Sequence, residues 1–133
     1  MASPGDTMWL NLHPILRGFS RRLAAAHPEL LCDLGRSAND TFVLRAYLAV
    51  KRSASGEEVA ITVDVRSDGQ ALIVESDACL DNGKVLAAGP SVTISLTDED
   101  LCIESAFSGW LSEFERFLSE SEAVVELAIA GLA

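Results

Sequence analysis

EVAITVDVRSDGQALIVES, residues Glu58 to Ser76, decides the fold. Val59, Ile61, Val63 and Val65 alternate with Ala60, Thr62, Asp64 and Arg66. A period of two is that of a strand with one apolar face. Ser67-Asp68-Gly69-Gln70 is a tight-turn signal, because glycine accepts positive φ without steric cost. The chain then returns as QALIVES, a further strand. Strands joined by so short a turn must be antiparallel, since parallel neighbours need a crossover of about a dozen residues or more.

The same pattern extends in both directions. Upstream, TFVLRAYLAVKRS from Thr41 places Phe42, Leu44, Ala46, Leu48 and Val50 on one face, and ASGE turns it into the next strand. Downstream, DACLDNGK breaks the alternation, with Asn82-Gly83 as another turn. KVLAAG and SVTISL follow as strand-like pieces divided by Gly89-Pro90. The reading is an antiparallel meander of four to five strands over about 41–96, wet on one face and apolar on the other. The apolar face needs a cover, and the flanking segments supply it.

The first helix is expected to start near Asp6-Thr7 or at His13-Pro14 and to run to about Ala26. Leu12, Ile15, Leu16, Phe19 and Leu23 recur at three- and four-residue steps along it. LHPIL at 12–16 is echoed by AHPEL at 26–30. The second His-Pro predicts a short helix, Pro28 to Leu34, closed by Gly35. Thr97 or Asp98 would cap the last helix, over about 105–120, whose apolar set is Phe107, Trp110, Leu111, Phe114, Phe117 and Leu118. The tail, 123–133, stays open: its Glu and Ala suit more helix, while Val124-Val125 and the alternation of Val125, Leu127 and Ile129 lean slightly to a last strand or extended edge. The fold class is therefore α+β, a single domain over 1–133 with N-terminal and C-terminal helices packed on one face of the sheet. Two helices about 10 Å wide would cover four strands spaced about 4.8 Å apart.

Composition narrows the function. Among 133 residues 49% are hydrophobic, so a packed core is expected. No run of about 18 apolar residues marks a membrane span, and no secretion signal is read at the start. Cys32, Cys79 and Cys102 form no CxxC, and with two histidines no zinc spacing exists. Buried, reduced thiols in a cytoplasmic protein are the expectation. The net charge is −10, and it is lopsided. Residues 1–52 hold seven Lys/Arg against four Asp/Glu, whereas residues 53–133 hold three against sixteen. Nucleic acid is a poor partner for such a chain and a basic protein a good one. Arg17, Arg21 and Arg22 around Phe19 are too thin a footprint to change that.

No motif carries catalysis. There is no GxSxG, no glycine-rich phosphate loop and no complete calcium loop, so no cofactor or metal is expected. His13 and His27 both precede proline at expected helix starts, where a capping or surface role accounts for them. Asp64 stands inside a strong strand and reads as a solvated charge on the wet face.

Half of the eight aromatics fall in FSGWLSEFERFLSESE, Phe107 to Glu122. Burying these four with Leu111 and Leu118, six large side chains, is worth on the order of 9 to 18 kcal/mol at about 1.5–3 each, so the protein's own sheet should claim most of the stripe. VTISLTDEDL at 92–101 and FSGWLSEFERFL at 107–118 give the chain a resemblance to the class I chaperones of type III secretion. It departs from them in the middle, where they insert a helix and this chain has about twenty turn-rich residues. Small bacterial immunity proteins are similar in size and acidity. The resemblance implies a bacterial, non-enzymatic, acidic binding module of immunity, chaperone or adaptor type. Its partner surface would comprise Glu113, Glu115, Glu120 and Glu122, with Asp98, Glu99, Asp100 and Trp110. Two other readings stay open: a small-molecule binding domain or enzyme with a pocket between sheet and helices, using Asp64 or a histidine, and a homodimeric structural domain joined through the tail.

Overall fold

Among the described residues six strands stand between two long helices, the five read from the alternation and an edge strand before them. The structure, a computed structural model, describes residues 3–96 and 103–132. The order is α1 (Pro4–Ala26), β1 (Leu31–Ser37), β2 (Phe42–Lys51), β3 (Glu58–Ser67), β4 (Ala71–Leu80), β5 (Val85–Ala88), β6 (Val92–Ser95) and α2 (Ile103–Ala130). The sheet is an antiparallel meander, β1-β2-β3-β4-β5, with β6 pairing the other half of β4. The fold class expected from the alternation is the one observed, with both helices covering one face.

The β3–β4 turn forms where the sequence placed it. Gly69 has φ 89°, and the Asp68 carboxylate accepts from the N–H groups of Gln70 (2.9 Å) and Ala71 (2.8 Å). Those two backbone hydrogen bonds hold its carboxyl below the usual value of 3.8. A depressed carboxylate stabilises the fold above its unfolded pKa, and this is lost as pH falls through the folded value. Asp68→Asn keeps an acceptor but removes the charge. Its urea midpoint is expected to lie below wild type at about pH 6, with the gap narrower at about pH 3, below the usual value of 3.8. A constant offset at both pH values would refute the assignment.

The register of the meander puts Val59, Ile61, Val63 and Val65 inside with Leu44, Ala46, Leu48, Val50, Leu72 and Val74. A bulge between Phe42 and Leu44 shifts one expectation. Val43 packs on the core, and Phe42 lies on the open face, where the Arg45 guanidinium sits 4.3 Å above its ring. β4 also runs farther than its sequence suggested, through Ala78 to Leu80, before the Asn82-Gly83 turn.

Segment 28–34 is not a helix. His27 caps α1 through its N–H to the Leu23 carbonyl (2.8 Å), and the chain then pairs as an edge strand, Leu31↔Lys51 to Ser37↔Arg45. Pairing with β2 outweighs the local helix-start device. Gly35 lies within this strand: a Cβ there would meet the Tyr47 hydroxyl, so its lack of a side chain makes room for that ring.

α1 starts earlier than expected. Ser3 Oγ accepts from the Asp6 N–H (3.2 Å), and the helix passes through Pro14 rather than beginning there. Its buried face, Met8, Leu12, Leu16, Phe19 and Leu23, anchors it in spite of the missing proline N–H. The tail is also helical, since Val125 and Ile129 continue the buried spacing of Phe114, Leu118 and Ser121. Packing against the sheet overrides the strand preference of Val124-Val125.

The helices run parallel. Met8 shares a groove with Phe107, Ile15 shares one with Leu118, Arg22 reaches Glu122 (3.3 Å) and His27 approaches Glu126 (4.0 Å). Partners thus advance together along both axes. No described helix is long and apolar enough to cross a membrane.

Candidate functional site

α2 presents two kinds of surface. Towards the sheet, Phe107, Trp110, Phe114, Leu118, Val125 and Ile129 are buried. Phe107 and Trp110 stack at 5.3 Å, and Trp110 and Phe114 at 4.9 Å. Leu111 and Phe117 are half-buried beside them. The aromatic stripe therefore belongs mainly to the chain's own core.

Trp110 requires a correction. It is 1% exposed, and its Nε1–H donates to the Pro90 carbonyl (2.9 Å), which also accepts from Ser76 Oγ (2.9 Å). It is a core anchor that ties α2 to the β5–β6 connection, and it cannot contact a partner from there. Asp98, Glu99 and Asp100 lie outside the described residues.

The remaining acids divide between the flanks of the helix. At 3.6 residues per turn, Glu115 and Glu122 turn towards α1 and Glu113 and Glu120 away from it. The first pair lines a groove of about 360 Å³ with Ile15, Gly18 and Arg22. Arg22 pairs with Glu122 there, leaving Glu122 half-buried. Glu113, Glu115 and Glu120 are exposed and make no ion pair with a described residue. What the sequence placed in one rim is thus two acidic edges on one rod.

Sequence reasoning missed two apolar members of the outer flank. Val124 is 41% exposed and Leu127 76%. Taking the tail as a strand hid them; extending the helical count past Glu120 would have placed both beside Glu113 and Glu120.

The residues offered for chemistry are not brought together. Asp64 lies on the open sheet face, paired with Arg45 (3.1 Å), beside the Arg66–Glu75 pair (2.7 Å). Thr62 Oγ1 donates to Asp77 (2.6 Å) in the same surface. His13 packs on Trp9 with ring centroids 5.0 Å apart, and His27 ends α1 between Glu29 and Glu126. A groove of about 580 Å³ runs between the two helices rather than between sheet and helices, and Met8, Asn11, Phe107 and Leu111 are among its lining. Asp64 and both histidines lie outside it.

The expectation also changes for two of the three cysteines, Cys102 lying outside the described residues. Cys32 is exposed on the edge strand and Cys79 is half-buried, both as free thiols. Burial, and then the charge of Asp77, push the Cys79 thiol up, which makes it a weak nucleophile. Among the described residues, no three His, Cys, Asp or Glu side chains converge to hold a metal. Compared with protein-family models, curated proteins and solved structures, the chain matches none.

Proposed function

We propose that this chain is a non-enzymatic protein-binding module, of the immunity, secretion-chaperone or adaptor kind, that docks a basic protein partner. The observation that supports it is the outward surface of α2. Glu104, Glu113, Glu115, Glu120, Glu122 and Glu126 lie along one helix whose single base is Arg116. The fold uses little of this charge: Arg22 approaches Glu122 and His27 approaches Glu126. Acids held on a rigid rod keep their spacing, so a cationic partner is both attracted and oriented. A reducing, cytoplasmic setting suits the exposed thiol of Cys32.

Capture from host lysate, washed at low and then high salt, tests this with wild type and the triple variant Glu113→Gln, Glu115→Gln, Glu120→Gln. All three positions are exposed, so the variant should unfold at the wild-type urea concentration. A single stoichiometric basic protein is expected, released as salt screens the contact. The variant should bind it about tenfold more weakly, three exposed pairs each contributing a few tenths of a kcal/mol or more. An acidic or neutral partner whose retention ignores salt would sink the reading.

A further inference from the structure

The two edges of the sheet are built differently. Beyond β4 the ladder is split between β5 and β6, four residues each, divided by Gly89-Pro90, and a register shift falls between Ala78 and Cys79. Short strands, a proline and a bulge are devices that keep an edge from pairing. β1 has none of them. It runs seven residues in unbroken register with β2, and no described strand pairs its outer side. Two polar side chains on the open face are unused there. Tyr47 reaches across Gly35, so its hydroxyl stands over the edge strand, and Asp33 is exposed two residues away. Neither makes a hydrogen bond or ion pair with a described residue.

We infer that β1 pairs with β1 of a second copy, antiparallel about Leu34, joining the two six-stranded sheets into one. Opposed residues of a twofold pair point to one face, so the axis passes through a residue. About Leu34, Asp33 of each copy falls opposite Gly35 of the other, beside the Tyr47 hydroxyl, which gains a carboxylate acceptor. Only this centre sets Asp33 opposite Gly35. Cys32 then falls opposite Arg36, Leu31 opposite Ser37 and Leu34 opposite Leu34, so no like charges meet. About Asp33, by contrast, two carboxylates would face each other.

Charge also selects this edge. Each copy carries −10, so a joint between copies must avoid the acids. Residues 1–52, which include α1 and β1, hold a net +3, seven bases less four acids. α2 lies on the far side of the sheet, tied by Trp110 to the β5–β6 connection. Pairing through β1 therefore leaves the acidic helix uncovered, and this proposal and the binding-module reading stand or fall separately.

Sedimentation equilibrium of the full chain tests it, with a dimer expected that dissociates on dilution. Tyr47→Phe should raise the dimer dissociation constant about a hundredfold, the loss of two hydrogen bonds to a charged acceptor at about tenfold each. Its circular dichroism should match wild type, since the hydroxyl has no partner within one copy. Leu31→Cys with Ser37→Cys should oxidise to a covalent dimer, because the register sets those positions opposite one another. Wild type, with its two Cys32 thiols four positions apart across the pair, should not. A monomer at every concentration would overturn the proposal. So would a dimer indifferent to Tyr47→Phe, or a wild-type disulfide through Cys32, which would centre the pair elsewhere. A dimer lost on Leu127→Ser would place the joint on the tail and likewise overturn it.

Discussion

Trp110→Ala is expected to cost about 3–5 kcal/mol, the range for truncating a buried aromatic. Three observations set that size. The side chain is 1% exposed, it stacks on Phe107 and Phe114, and its N–H reaches the Pro90 carbonyl. Truncation leaves a cavity between two ring neighbours whose backbone is fixed by the same helix, so the site collapses poorly. Trp110→Phe separates packing from hydrogen bonding. The Pro90 carbonyl still accepts from Ser76 Oγ, so no buried acceptor is orphaned, and the loss should fall to about 1–2 kcal/mol. Urea unfolding followed by circular dichroism measures both, with an unchanged slope expected. A loss below about 1 kcal/mol for Trp110→Ala would return this residue to the surface, where the sequence had placed it.

Gly5→Ala and Gly109→Ala should change stability in opposite directions, although both put alanine for glycine in a helix. Helix propensity alone favours alanine by up to about 1 kcal/mol. At Gly109 a Cβ meets nothing within 4 Å, so that gain should be realised. At Gly5, buried in the first turn of α1, the Cβ would run into the main-chain carbonyl oxygen of Val43. A backbone atom in a strand cannot swing aside as a side chain can, so α1 must lift from β2. Overpacking of this kind costs about 1–3 kcal/mol and outweighs the propensity. Thermal unfolding of the two variants compares them directly. A stabilised Gly5→Ala would show that the first turn of α1 does not lie on β2.

The meander was legible because its information is local. Alternation from Val59 to Val65, a turn at Asp68-Gly69 and a return strand need no distant contact to be read. The edge strand β1 was hidden because its evidence lies elsewhere in the chain. Pro28, Leu34 and Gly35 look locally like a helix start and stop, whereas the β2 ladder that captures them is formed by residues 45–51. Phe42 was misplaced by a bulge that leaves no sequence mark of its own. Helical spacing located the aromatic stripe of α2 but could not say which side each ring would face. Trp110 was therefore counted both in the apolar stripe and on the partner surface, and the core takes all of it. The tail failed for a related reason: Val124 and Val125 speak for a strand, and only the buried step from Ser121 to Val125 to Ile129 reveals the helix.

The parallel course of α1 and α2 fixes the order in which the chain can gain from folding. The β2–β3 and β3–β4 hairpins close over a few residues, whereas Arg22 and Glu122 stand 100 residues apart. Loop closure of that length yields its reward only after the intervening meander is compact. The hairpins are therefore expected to close before α2 docks, and in the interval part of the sheet's apolar face is bare. During that interval the face carrying Leu48, Ile61 and Val74 is open to any neighbouring molecule in the same state. Refolding from urea at rising protein concentration is therefore expected to lose material through this face.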